Sequence, residues 1–350
     1  MKGIKILNGG MLTTVQDLGR LGYSAYGVSP GGAMDSWAMK IANRLVGNDD
    51  GQGGLEITSA GFKIQWRTDA LFSITGGDLG AFLNDQPLRP WCAYPAKEGD
   101  ILGFNKGHWG LRAYLAIEGG FELPKVMGSQ STDLKGKFGG FFGRKLLKGD
   151  ELFIGINTTT DVSPVIEKEV PDNMRGYDDF DVLRVIPGPH EDRFTEGGIK
   201  EFFRETFHVG QAFDRMGYRL EGKKIDPGDE ADILSDGMMF GAVQVPGDGI
   251  PIIMGADRQT TGGYRKIAHV FSMDLGKLAQ KTWKDPVSFK EISLDQAHRE
   301  LKERERSWEK WVTGLKEAIP AQSNRGQGKN KRYFQVTVNG KRYNVKVEES

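Results

Sequence analysis

Glycine punctuates this chain more than anything else does. It supplies 49 of 350 residues, spread through short apolar runs. The glycines follow no fixed period, so a collagen-like helix is excluded. Glycine tolerates the positive φ that tight turns need, so a chain interrupted this often turns repeatedly and favours short strands over long helices. Residues 62–66 (FKIQW) and 111–117 (LRAYLAI) alternate with period two, and 70–74 and 183–186 are short apolar runs, most of them bounded by Gly and Asp. Short strands at close spacing with turn signals point to β-barrels or sandwiches.

Two segments read differently. Residues 34–46 predict a helix, with Pro30-Gly31-Gly32 before it, Asp35 in its first turn and Gly47 at its end. Ala38, Ile41, Ala42 and Leu45 share one face. Its N-terminus offers free N–H groups to an anion; a capped core helix is the alternative. Residues 294–318 predict a longer helix that opens on a capping pair, Ser293 with Gln296. Its face of Leu294, Ala297, Leu301, Trp308, Trp311, Val312 and Leu315 suits packing across the barrels or an interface. The stretch 158–179 is polar and aperiodic, with Pro164 and Pro171. The expected organisation is therefore a first β-barrel half at 1–160, a linker at 161–180 and a second β-barrel half at 181–292. An amphipathic helix at 293–319, a flexible linker at 320–332 and a hairpin at 333–350, turning at Asn339-Gly340, complete it.

Bulk properties narrow the function. Basic and acidic residues balance at 47 each, which argues against a broad nucleic-acid footprint. No apolar run approaches the ~20 residues of a membrane span. Cys92 is the only cysteine, so no intrachain disulfide forms, which suits a cytoplasmic location. The five histidines are scattered without zinc-type spacing, so no metal is expected. Neither a G-x(4)-G-K-[S/T] phosphate loop nor a G-x-S-x-G nucleophile elbow is present.

The candidate chemistry concentrates in 242–280. An apolar run at 251–254 stops at Asp257-Arg258-Gln259-Thr260-Thr261, Gly262-Gly263 allows a sharp turn, and 267–273 reads as the next strand. A polar loop between core strands is where sites are usually built; a solvated hairpin loop with an Asp–Arg pair is the plain alternative. Asp257 can act as general base or orient a water, and Arg258 can clamp a carboxylate. Gln244, Thr260, Thr261 and Tyr264 can hydrogen-bond an amide or ureido group. Arg215 and Arg219 can bind a carboxylate or polarise a carbonyl, or form a buried ion network with Asp214. Asp17 and Arg20, three residues apart, either bind substrate or pair with each other; Asp35 and Glu56 either bind substrate or are structural carboxylates.

The run G-A-V-Q-V-P at 241–246 and D-R-Q-T-T-G-G-Y at 257–264 resemble the signature of the allophanate hydrolase subunit 2 family. Further ordered blocks resemble it too: T-T-V-Q-D-L-G-R at 13–20, G-V-S-P-G-G-A-M-D at 27–35, G-S-Q-S-T at 128–132 and D-R-M-G-Y-R-L-E-G at 214–222. The resemblance implies paired β-barrels of cyclophilin-like type, mainly β with a few helices. It also implies membership of a heteromeric, ATP-dependent 5-oxoprolinase, which opens 5-oxo-L-proline to L-glutamate. The implied partners are a B-type subunit like allophanate hydrolase subunit 1 and a third, A-type subunit. Two other members set the alternatives: the carboxyltransferase region of a biotin-dependent urea carboxylase, and a non-enzymatic antikinase. Residues 333–350 resemble the opening hairpin of biotin carrier domains but lack the A-M-K-M lysine turn, so covalent biotin is not expected on this chain.

Overall fold

The computed structural model describes residues 2–155, 170–228, 231–317, 331–338 and 341–348. Residues 161–169 of the expected linker, 320–330 of the second linker and the Asn339-Gly340 turn lie outside the described residues.

Alternation decides the first subdomain. In the strand Phe62–Trp66, Phe62, Ile64 and Trp66 are buried while Lys63 faces water. This strand belongs to a six-stranded sheet with Gly3–Gly9, Ile101–Phe104, Ala81–Leu83, Gln86–Pro87 and Glu151–Phe153. A second, five-stranded sheet contains Leu12–Gln16, Gly54–Thr58, Trp109–Ile117, Ala70–Asp78 and Cys92–Ala96. The two sheets share one core, including Ile6, Ile64 and Trp66 from the first and Leu55, Phe72 and Leu115 from the second. Each such large side chain contributes about 1.5–3 kcal/mol on burial.

The second subdomain is a closed seven-stranded barrel. Its order is Val182–Pro187, Lys266–Val270, Ala242–Gln244, Ile252–Met254, Gly217–Glu221, Phe207–Phe213 and Pro286–Glu291. A two-stranded ribbon, Asp232–Gly237 with Thr261–Tyr264, stands off it, and Lys331–Val338 pairs antiparallel with Lys341–Glu348. The fold is thus mainly β.

Four helices occur among the described residues: α1 (Ser36–Leu45), α2 (Glu196–Arg204), α3 (Leu275–Gln280) and α4 (Leu294–Glu317). The Asp35 side chain caps α1 by accepting from Ala38 N at 2.9 Å, and Gly47 follows in the left-handed region at φ 76°. α1 lies between the five-stranded sheet and α4, where Trp37 and Trp308 meet at 5.0 Å between ring centroids. α2 escapes a propensity reading because Gly197 and Gly198 stand in its first turn, although Thr195 caps it. The strand expected at 267–273 ends at Val270 and gives way to α3. The cause is Asp274, whose carboxylate accepts from Arg184 N at 2.8 Å and Nη2 at 2.6 Å and turns the chain off the sheet. Among the described residues no helix is long and apolar enough to cross a membrane.

Candidate functional site

A buried network of charges crosses from one subdomain to the other. Glu56 sits in the strand Gly54–Thr58 of the five-stranded sheet; Arg215 and Asp257 sit in turns beside the barrel strands Gly217–Glu221 and Ile252–Met254. Arg215 donates from Nε to Asp257 Oδ2 and from Nη2 to Asp257 Oδ1, both at 2.8 Å. Its Nη1 donates to Glu56 Oε1, and Nη2 reaches Gly32 O at 2.6 Å. Arg215 is 3% exposed and Glu56 1%, so both charges depend on each other. Burial lowers the Arg215 pKa, but Asp257 and Glu56 outweigh it and raise the value well above the ordinary one. Burial likewise pushes Glu56 up, yet Arg215, Arg112 and the Met34 N–H together hold its carboxyl below the usual range.

The remaining bonds of Glu56 answer the question of an anion at the N-terminus of α1. Glu56 Oε2 accepts from Met34 N at 2.7 Å and from Tyr114 OH at 2.9 Å. Tyr114 OH in turn accepts from Asp35 N at 2.8 Å. The protein's own carboxylates Glu56 and Asp35 therefore occupy the position that the sequence offered to an external anion. Tyr177 OH donates to Asp35 Oδ2 at 2.6 Å. Burial raises the Asp35 pKa, with Tyr177 and Ala38 N opposing and Glu56 adding to the rise. An acid with a raised folded pKa loses stability as pH rises through that value. Asp35→Asn keeps a good N-cap and removes the buried charge. Its melting temperature at pH 8 should equal or exceed the wild type; a fall of more than a few degrees would show that the negative charge itself is needed.

The other expected residues divide into four groups. Asp17 and Arg20 do not pair by hydrogen bonds: Asp17 accepts from Gly19 N at 2.7 Å, Ser129 Oγ at 2.7 Å and Gln130 N at 2.6 Å, while Arg20 Nη2 donates to Ser131 O. Arg258 is turned inward, donating to the carbonyls of Met238, Gly255 and Ala256. Burial pulls its pKa down to about 10, with Asp257 partly compensating. These bonds engage Nε and Nη1 of Arg258 with backbone carbonyls. Gln244, Arg219 and Tyr264 line a surface cavity of about 470 Å³ with Gln259 and Met216, where Arg219 pairs with Asp248. Thr260 O accepts from Met238 N at 2.9 Å, and Thr261 pairs with Gly237 in the ribbon.

Residues 26–291 match the carboxyltransferase domain, subdomain A and B. The chain belongs to this family. It is 38% identical over 306 residues to the C-type subunit of the 5-oxoprolinase of Escherichia coli (strain K12), covering 87% of this chain and 96% of the relative. The corresponding 5-oxoprolinase subunit of Haemophilus influenzae is 36% identical, covering 84% and 93%. The crystal structure of the Kluyveromyces lactis urea carboxylase superposes with a TM-score of 0.82 at 32% identity, over 92% of this chain but only 30% of that one. The chain thus spans nearly the full length of the bacterial subunits and under a third of the yeast enzyme. The resemblance carried by the motifs is borne out.

Within this family fold, three site residues went unread in the sequence. Arg112 Nη1 donates to Tyr218 OH at 2.6 Å and to Ala279 O at 2.5 Å, and its Nε lies 3.7 Å from Glu56. Gln280 Oε1 accepts from Arg112 N at 2.9 Å. Tyr114 stands two residues beyond Arg112, on the same face of the strand Trp109–Ile117. A signal existed: an arginine inside an alternating apolar run must find buried partners.

Proposed function

We propose that this chain is one subunit of a cytoplasmic, ATP-dependent 5-oxoprolinase that opens the lactam of 5-oxo-L-proline to L-glutamate. Its partners in this reading are a B-type subunit like allophanate hydrolase subunit 1, sharing the site, and a third A-type subunit. The observation that carries the proposal is the match over nearly full length to two bacterial subunits named for that enzyme. The geometry supplies compatible chemistry. In the hydrolysis a water oxygen adds to the lactam carbonyl, the ring C–N bond breaks, and the nitrogen leaves with a proton as the amine. Asp257 retains lone pairs beyond the two that Arg215 engages, so it can accept from that water or from the lactam N–H. ATP would supply the driving force against amide resonance, but the residues here do not fit a triphosphate. The buried arginines Arg112 and Arg215 are already engaged by Glu56, Asp257 and neighbouring groups. ATP is therefore assigned to another part of the complex.

The test is glutamate release from 5-oxoproline and ATP by the co-expressed subunits, omitting each in turn. Activity should vanish when this chain is left out. A complete, stably assembled mixture that releases no glutamate overturns the reading. The likeness to the urea carboxylase structure favours a second reading, a carboxyltransferase component binding biotin or carboxybiotin non-covalently near Asp257. Partner binding without turnover of either substrate would point instead to a regulator.

A further inference from the structure

One charged side chain beside the inter-subdomain network has donors left over. Arg20 is 1% exposed, its guanidinium lies 4.7 Å over the ring of Phe138, and Nη2 donates to Ser131 O. Its Nε and Nη1 meet no hydrogen-bond partner among the described residues. Buried donors of an arginine are rarely left unmet, because desolvation without a partner is costly.

The direction of Nη1 is given by Gly31, which holds φ +61° in the loop before α1. A Cβ on Gly31 would stand 3.4 Å from Arg20 Nη1, 3.7 Å from Asp257 Oδ1 and 3.8 Å from Ser131 Cβ. Because Gly31 carries no side chain, nothing from this loop's side chains stands between a cationic donor on one side and a carboxylate acceptor on the other. Asp257 is held in place by the two bonds from Arg215.

We propose that Arg20 and Asp257, facing each other across Gly31, form a subsite that reads the edge of a cis amide: Arg20 donates to the carbonyl oxygen and Asp257 accepts the N–H. The assignment rests on the reading of the site as one that takes an amide. A lactam ring locks its amide cis, so the C=O and N–H lie on the same edge, whereas an ordinary trans peptide places them on opposite sides. A ureido group presents the same edge. A carboxylate suits the gap less well, because one of its oxygens would face Asp257. Burial lowers the Arg20 pKa, with Asp133, Asp17 and Asp257 opposing.

Ligand binding to the full chain, alone and co-purified with its partner subunits, tests this by NMR titration. The probes are 5-oxoproline, 2-pyrrolidinone (lactam without carboxylate), N-methyl-2-pyrrolidinone (no N–H) and tetrahydrofuran-2-carboxylate (carboxylate without amide). Wild type should bind the first two and bind the N-methyl lactam at least tenfold more weakly than 2-pyrrolidinone. Arg20→Gln should weaken both N–H lactams at least tenfold and leave tetrahydrofuran-2-carboxylate unchanged. Because Arg20 is buried, Gly31→Ala serves as a second variant: it keeps the guanidinium and fills the gap, and the same selective loss is expected. The proposal is overturned if folded variants keep their lactam affinity, if the loss falls on the carboxylate probe alone, or if wild type binds no lactam in either preparation. Glutamate release is followed on the same samples. Arg20-dependent lactam binding without turnover removes the oxoprolinase reading and leaves the subsite standing; unchanged turnover in Arg20→Gln does the reverse.

Discussion

Replacing Arg215 with methionine should destabilise the protein by about 3–5 kcal/mol, the usual cost of removing one partner from a buried ion pair. For a chain of this size that is a fall of roughly 4–7 °C in Tm. The argument is one of stranded charges. Asp257 loses the two bonds that engage its two oxygens, Glu56 loses its first counter-charge, and Gly32 O loses its donor. Glu56 keeps Arg112, Tyr114 and Met34 N, so the network is weakened rather than erased. Arg215→Lys should fall between the two, because an ammonium cannot serve both carboxylates with a planar fork. The pH dependence carries a sign. In the wild type the folded Glu56 pKa is depressed, so its contribution is present above the unfolded carboxylate value and is lost as pH falls through the folded one. Without Arg215 the burial of Glu56 acts with less opposition, and acid helps by neutralising it. The stability gap between wild type and Arg215→Met should therefore narrow from pH 8 towards pH 4. Thermal unfolding across that range decides the matter: a constant gap means that the lost stability is packing rather than charge.

The parts of this protein legible in its sequence are those set by local rules. Alternation at 62–66 and 111–117 marked buried strands, and the cap at Asp35 with Gly47 beyond it marked α1. The motif blocks carried the family, and with it the paired β architecture. What stayed hidden depends on contacts distant along the chain. Glu56 and Arg215 are separated by 159 positions and meet only when the barrel docks on the five-stranded sheet. Read locally, Asp17 and Arg20 looked like a pair; in the fold the serines of 128–132 take the Asp17 carboxylate and leave Arg20 stacked on Phe138. The inward turn of Arg258 was equally invisible, because its partners are backbone carbonyls that any sequence supplies. The strand expected to run through 273 ended early because Arg184, 90 residues before, holds Asp274.

Asp257→Asn should lower the rate of lactam opening in the assembled complex by about 10²–10⁴, the range typical of losing a general base or its equivalent, while shifting Tm far less than Arg215→Met. Asparagine keeps the shape and one acceptor for the Arg215 fork, and Arg215 keeps Glu56 and Gly32 O as partners. The variant therefore removes the charge while most of the network persists. Asparagine must also turn either its amide nitrogen or its oxygen towards Gly31. In either orientation the nitrogen meets one of the two Arg215 donors; with the nitrogen towards Gly31 it also meets a substrate N–H or an attacking water with a donor where an acceptor is needed. Either orientation spoils one side of the site, so the loss should appear in kcat as well as KM. A purely structural Asp257 would give the opposite pattern, with Tm falling and the activity of the folded fraction intact. Measuring kcat per folded molecule alongside the melting curve separates the two, and Asp257→Glu, which restores the charge one methylene too far out, should recover stability more fully than rate.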